Sequence, residues 1–270
     1  MSDDGHPTTF GGLLRSWRRQ RRMTQLDLST SADVSTRHLS FLETGRATPS
    51  REMVLQLAER LAVPLRERNV LLHAAGFAPA YPHRPLDAPE MASARAAVDR
   101  VLTGHEPYPA LAVDRWWDVV SMNAAATVLA SDVDPALLGP PANVYRISLH
   151  PDGLAPRVID FPDFAHHLLA QLRHDVGVSA DPGLAALLDE VEAYPTVRAL
   201  PRRTVRRDAV VTPMRLRHPR GELAMFTTIT TFGTPVDVTL AELAIETFFP
   251  MDAQTAARLG ALAEADTGTA

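Results

Sequence analysis

Cysteine and lysine are both absent from this chain of 270 residues. The first absence excludes disulfides and thiolate metal sites, although it names no compartment. The second makes all 27 basic residues arginine. Arginine codons can be GC-rich where lysine codons are AT-rich, which points to a GC-rich bacterial genome. No apolar run approaches the roughly 20 residues needed to span a bilayer, so no membrane partner is expected. The opening MSDDGHPTTF carries acids where a secretory signal would carry a basic segment, and a cytoplasmic location is expected. The signatures HExxH, GxSxG, GxGxxG and the P-loop are all missing. No repeat and no low-complexity tract is present.

What is there suffices for a core. The chain is 46% hydrophobic and 22% charged, which argues against wholesale disorder, and its length allows one large domain or two ordinary ones. The net charge of −5 is unevenly placed: residues 1–80 hold 11 Arg against 8 Asp plus Glu, and the remainder holds 16 against 24. A mildly basic head on an acidic body suits a protein that touches phosphate at one end, although a surplus of three charges is also within chance.

Phe10, Leu13, Leu14 and Trp17 recur at helical spacing and predict a helix from Phe10 to Arg22. Thr24 reads as an N-cap with Asp27 completing a capping box, and this second helix runs to Ser31. Ala32-Asp33-Val34 is a turn, with Asp33 in a position that favours glycine; Asp tolerates the left-handed conformation better than most residues. Ser35 caps a third helix with Val34, Leu39 and Leu42 facing inward, stopped at Gly45. Pro49-Ser50 and Pro64 open a fourth and a fifth, the last ending at Gly76. Five short helices make a compact all-helical domain over residues 1–77. Four prolines between Ala78 and Pro89 mark a linker, followed by a connecting helix, so that 78–106 join the two parts.

From residue 107 to 270 the pattern is α+β. Leu111–Val113 and Trp117–Met122 read as strands. Asn123–Ala130, Phe161–Val176 and Pro182–Ala193 read as helices, Asn143–Leu149 as either, and Pro195–Arg207 as a loop. Val210–Arg217 and Glu222–Phe232 form a hairpin around His218-Pro219-Arg220-Gly221, and Val236–Pro250 is a further strand.

The second and third helices have the geometry of a helix-turn-helix, in which the second element enters the major groove. With Leu39 and Leu42 turned inward, Thr36, Arg37 and Ser40 face outward. Arg37 can make two parallel hydrogen bonds to guanine, worth roughly 1–3 kcal/mol of discrimination. Gln25, Ser35 and Arg46 are phosphate candidates. An ordinary helical hairpin with a solvated polar face is the plain alternative.

The stretch TQLDLSTSADVSTRHLSFLETGRATPSREMVLQLAERLAVP resembles the helix-turn-helix of the Xre (lambda-repressor-like) family, through Gln25, Leu39, Leu42, the Glu43-Thr44-Gly45-Arg46 turn and Pro49-Ser50. Ser29 stands where that family usually has alanine. VPLRERNVLLHAAGFAPAY, EPYPALAVDRWWDVVSMN and ITTFGTPVDVTLAELAIETFFP together resemble the MmyB-like group of Xre regulators, common in actinobacteria. The resemblance implies a multidomain α and α+β protein: a five-helix lambda-repressor-like DNA-binding domain, then a PAS-like antiparallel sheet with flanking helices over a ligand pocket. It implies a transcriptional regulator acting on a double-stranded DNA operator and responding to a small, apolar, fatty-acid-like effector.

Trp117, Asn123, Arg146, Phe226 and Thr228 are the candidate ligand contacts, Arg146 through the planar fork that pairs with carboxylates. Filled core and a structural ion pair are the alternatives for these residues. Asp160, Asp163, His166 and His167 lie close in sequence and make a metal site conceivable, but acids at a solvated helix start are the simpler reading. No cofactor, no metal and no catalytic residue is expected. An enzyme domain on a DNA-binding head, or an antitoxin-type interaction module, are the other classes. One head offers few base-reading side chains, so a homodimer on two half-sites is expected.

Overall fold

The structure is a computed structural model that describes residues 9–179, 181–201 and 213–267. They divide into two compact units: residues up to Pro85 together with Thr234–Ala241, and Leu86–Gly233 together with Glu242 onward.

The first unit holds α1 (Phe10–Gln20), α2 (Gln25–Ser31), α3 (Thr36–Glu43), α4 (Arg51–Arg60) and α5 (Leu65–Ala74). Local chemistry starts each of the early helices. Thr24 and Asp27 cap α2 reciprocally, Asp27 N donating to Thr24 Oγ1 at 3.1 Å and Thr24 N to Asp27 Oδ2 at 2.8 Å. The hydroxyls of Ser35 and Ser50 accept from His38 N and Met53 N. Asp33 does take the left-handed conformation, at φ 51°, and so joins α2 to α3 without glycine. Leu14, Trp17, Leu28, Leu39, Leu42, Leu57 and Leu72 are buried together. The α1–α3 approach is close: a Cβ on Gly11 would lie 2.5 Å from the Leu42 carbonyl oxygen.

The second unit begins with α6 (Ala92–Gly104), then β1 (Ala110–Val113), β2 (Val119–Met122), α7 (Ala124–Ala130), α8 (Pro135–Leu138), α9 (Val144–Leu149), α10 (Phe161–Ser179), α11 (Pro182–Glu192), α12 (Pro195–Arg198), β3 (Met214–Leu216) and β4 (Leu223–Thr231). The short helix α13 (Val238–Ala241) belongs to the first unit; β5 (Ala244–Pro250) and α14 (Ala253–Thr267) complete the second. The sheet is antiparallel with the order β2-β1-β5-β4-β3. The register pairs Leu111 with Glu246, Glu246 with Ile229, and Phe248 with Thr227, which puts these five side chains on one face.

Val144–Leu149, which the sequence leaves open between helix and strand, is helical, because Asn143 Oδ1 accepts from Tyr145 N and Arg146 N and starts a turn. Several other elements differ from expectation. Part of the stretch read as a loop, Pro195–Arg198, is a helical turn begun by proline at its first position; residues 202–207 lie outside the described residues, as do Val210–Thr212 of the expected hairpin strand. The single strand expected over Val236–Pro250 is split. Asp237 Oδ1 accepts from Thr239 N at 2.9 Å, which winds α13 before β5 begins. The helix α14 packs Leu259 into the core and had no counterpart in the sequence reading. No helix among the described residues is long and apolar enough to cross a membrane.

Candidate functional site

In the first unit, α3 is anchored from beneath by one carboxylate. Glu43 is buried at the end of the helix. Its Oε1 accepts from Arg18 Nε at 2.6 Å, and its Oε2 from Arg18 Nη2 and Gln25 Nε2, each at 2.9 Å. Burial pushes the Glu43 carboxyl upward, but the hydrogen bonds from Arg18 and Gln25 outweigh it and hold the group ionised below its ordinary value. The network ties α1, the start of α2 and the end of α3 together. Gln25, expected at phosphate, therefore has its amide nitrogen engaged within the domain.

The opposite side of α3 is open. Ser35, Thr36, Arg37 and Arg46 are exposed, and Ser40 is half-buried. The Thr36 hydroxyl lies 2.9 Å from that of Ser29, so the serine at the usual alanine position orients a residue of the outward face. The exposed Arg37 guanidinium stands over the Phe41 ring at 5.3 Å. All the candidate DNA contacts thus cluster at α3 and its two ends, with Gln25 behind them.

In the second unit a cavity of about 130 Å³ lies between the sheet and the helices. Leu111, Val119, Ile229 and Phe248 form the sheet side; Ala126, Leu129, Val144, Ile147, Phe164 and Leu168 face them. The walls are overwhelmingly apolar. Trp117 lines the cavity and meets Tyr145 edge to face at 5.4 Å. Trp117 Nε1 donates to Asp175 at 3.3 Å, and burial raises that carboxyl above its ordinary value.

The other four expected ligand contacts lie outside the lining. Asn123 is spent on structure: Oδ1 accepts from Ala110 N and Ala126 N, and Nδ2 donates to the carbonyls of Tyr108 and Leu102. Arg146 forks onto Glu190 with two 2.8 Å bonds. Thr228 and Phe226 fall on the far face of β4, Thr228 bonded to the Thr247 hydroxyl and Phe226 stacked on Phe249. The residue between them, Thr227, lines the cavity. Strand side chains alternate in direction, so an error of one position in parity exchanges the two faces.

The polar lining groups that the sequence did not mark as ligand contacts are Tyr145, Ser148, His167, Gln171, Thr227 and Glu246. Glu246 had a visible signal, a single charge inside the otherwise uncharged strand AIETFFP, Ala244–Pro250. Its side chain lines the cavity and is partly buried. Burial pushes its carboxyl up to about 7, with a Thr227 hydrogen bond pulling weakly the other way. The sequence cluster near Asp160 is dispersed: Asp160 pairs with Arg215, and His166 Nδ1 is 2.5 Å from the Pro162 carbonyl. Among the described residues no group of three or more His, Asp or Glu could hold a metal ion.

A helix-turn-helix unit with an open polar face on its second element, followed by a domain that encloses an apolar cavity, defines a ligand-sensing transcription regulator. The first is similar to the helix-turn-helix family over residues 14–68. Residues 94–262, more than half of the chain, match the MmyB-like transcription regulator ligand binding domain. The chain belongs to the MmyB-like transcription regulators. No curated protein matches it.

Proposed function

We propose that this chain is a cytoplasmic, sequence-specific regulator that lays α3 in the major groove of an operator and changes its operator affinity when a small apolar effector enters the cavity of the second unit. Arg37 reads a base edge, Thr36 and Ser40 contact neighbouring edges, and Ser35, Arg46 and Gln25 support the docking at phosphate. The observation that carries this reading is the combination on α3 of a buried, charge-anchored side and an exposed polar side. Two heads of a homodimer on half-sites about one helical turn apart would supply the specificity that one helix lacks. No catalytic role is proposed for either unit.

The walls of the cavity support a hydrocarbon body for the effector, as in a fatty-acid-like molecule. Thr234–Ala241 offer a route for the response. They belong to the compact unit of the head, where Val238 N donates to the Pro82 carbonyl and Asp237 pairs with Arg84 at 3.0 Å. In sequence they join β4 to β5, the strands that carry Ile229 and Glu246. An effector that shifts these strands therefore has a covalent path to the head.

The test is selection of binding sites from random duplexes by the full chain and by Arg37→Ala. The expected outcome is a defined site for the first and relaxed preference at one base position for the second, equivalent to roughly 1–3 kcal/mol there. An unchanged preference would remove Arg37 from the reading helix; no preferred site at all would remove the function.

A further inference from the structure

Two hydroxyls meet where α2 passes the start of α3. Ser29 is buried on α2, and its Oγ lies 2.9 Å from the Leu26 carbonyl oxygen and 2.9 Å from Thr36 Oγ1. A serine hydroxyl has one proton and two lone pairs. A carbonyl oxygen only accepts, so the Ser29 proton goes to Leu26. Directed at Thr36 instead, it would leave two acceptor oxygens facing each other at 2.9 Å. Thr36 therefore donates to Ser29. Its single proton is spent inside the domain, and the exposed Thr36 hydroxyl offers the outside only lone pairs.

The neighbouring hydroxyl has the opposite polarity. Ser35 Oγ accepts from His38 N at 3.1 Å, a bond that does not use its proton. Phosphate oxygens only accept, so Ser35 suits the DNA backbone and Thr36 does not. Thr36 is the first residue of α3, the part of a reading helix that meets base edges. The hydrogen-bond donors of the major groove are exocyclic amino groups, N6 of adenine and N4 of cytosine, whereas guanine O6 and thymine O4 accept. Every base pair carries one such amino group there.

We infer that Thr36 reads the exocyclic amino group of an adenine or cytosine, and that Ser29, itself buried, is the positioning residue that fixes this polarity. The inference rests on the proposed placement of α3 in the major groove and names the base chemistry that one of its residues recognises. Without the Ser29 oxygen the Thr36 hydroxyl turns freely and donates or accepts as the base requires. A base carbonyl opposite Thr36 then finds a donor, where in the unmodified protein it meets a second acceptor and stays unpaired.

Site selection from random duplexes with the full-length protein and with Thr36→Val locates the base pair that Thr36 reads, as the position whose preference relaxes in the variant. Two altered operators are then titrated by fluorescence polarisation. One lacks the amino group of that pair, with purine for adenine or 2-pyrimidinone for cytosine. The other has a carbonyl in its place, with a guanine pair for the adenine pair or a thymine pair for the cytosine pair. Loss of the amino group is expected to weaken the unmodified protein by about tenfold and Thr36→Val by about threefold or less. The carbonyl is expected to weaken the unmodified protein by about tenfold or more and Ser29→Ala by about threefold or less, while preference at the position read by Arg37 is unchanged in Ser29→Ala. The operator without the amino group tests Thr36 with Ser29 intact. No relaxed position in Thr36→Val, an equal loss in Thr36→Val and the unmodified protein, or undiminished discrimination in Ser29→Ala would each overturn the assignment and leave α3 as the reading helix. Absence of any preferred site for the unmodified protein would overturn it together with the function on which it rests.

Discussion

Replacing Glu246 by glutamine should stabilise the second unit, and the gain should depend on pH in one direction only. The carboxyl has an ordinary value of 4.5 and is pushed to about 7 in the folded chain, chiefly by burial. Below pH 4.5 both folded and unfolded chains are protonated at this position and the group contributes no pH dependence. Between 4.5 and about 7 the unfolded chain loses its proton while the folded chain keeps it. The folded state then binds more protons, so stability falls as pH rises. Each pH unit in that window costs about 1.4 kcal/mol, and the full interval comes to about 3 kcal/mol, reached near pH 7 and constant above it. Glutamine is close in shape to the protonated acid and carries no charge. The variant should match the parent near pH 4 and exceed it by about 3 kcal/mol at pH 8, or about 6–12 °C in Tm for a domain of this size. Tyr145 and His167, the other titratable groups in the lining, are the same in both proteins. Urea unfolding at pH 4, 6 and 8 checks this, in a Trp17→Phe background that leaves Trp116 and Trp117 as reporters of the second unit. A difference between the two proteins that stays flat from pH 5 to 8 would refute the claim that Glu246 is held protonated by burial.

Three further outcomes are expected. Glu43→Ala leaves Arg18 buried without its carboxylate and should cost the head about 3 kcal/mol, seen as a lower thermal midpoint with loss of operator binding; a cost under about 1 kcal/mol would deny the network its role. Gly11→Ala forces a methyl to within 2.5 Å of the Leu42 carbonyl oxygen and should destabilise the head by about 1–3 kcal/mol, read from the same melts. Asp237→Ala removes both the cap of α13 and the Arg84 pair; it should leave operator affinity without effector within about threefold while reducing the effector-induced change by about half or more, as measured by titrating labelled operator with and without effector.

The head was legible in the sequence because its determinants are local. Caps at Thr24, Ser35 and Ser50 act over three residues, apolar spacing at Leu39 and Leu42 declares a face, and the outward position of Arg37 follows from the helical period alone. Even the strained turn at Asp33 could be anticipated from the chemistry of one side chain. What the spacing did not convey is that Glu43 gathers Arg18 and Gln25 from two other helices, since those partners are 25 and 18 residues away.

In the second unit the sequence alone determined the class, α+β with an antiparallel sheet, because strand and helix periods differ and glycine and proline punctuate them. Tertiary structure decided the site. Which of Thr227 and Thr228 faces the cavity depends on register with β5, and register is set by pairing between strands rather than by either strand. Whether Arg146 meets a ligand depends on Glu190, 44 residues later. Whether Glu246 is an ordinary surface acid or a carboxyl held near neutral pH depends on the surrounding walls, and burial arises only when distant segments close over the same space.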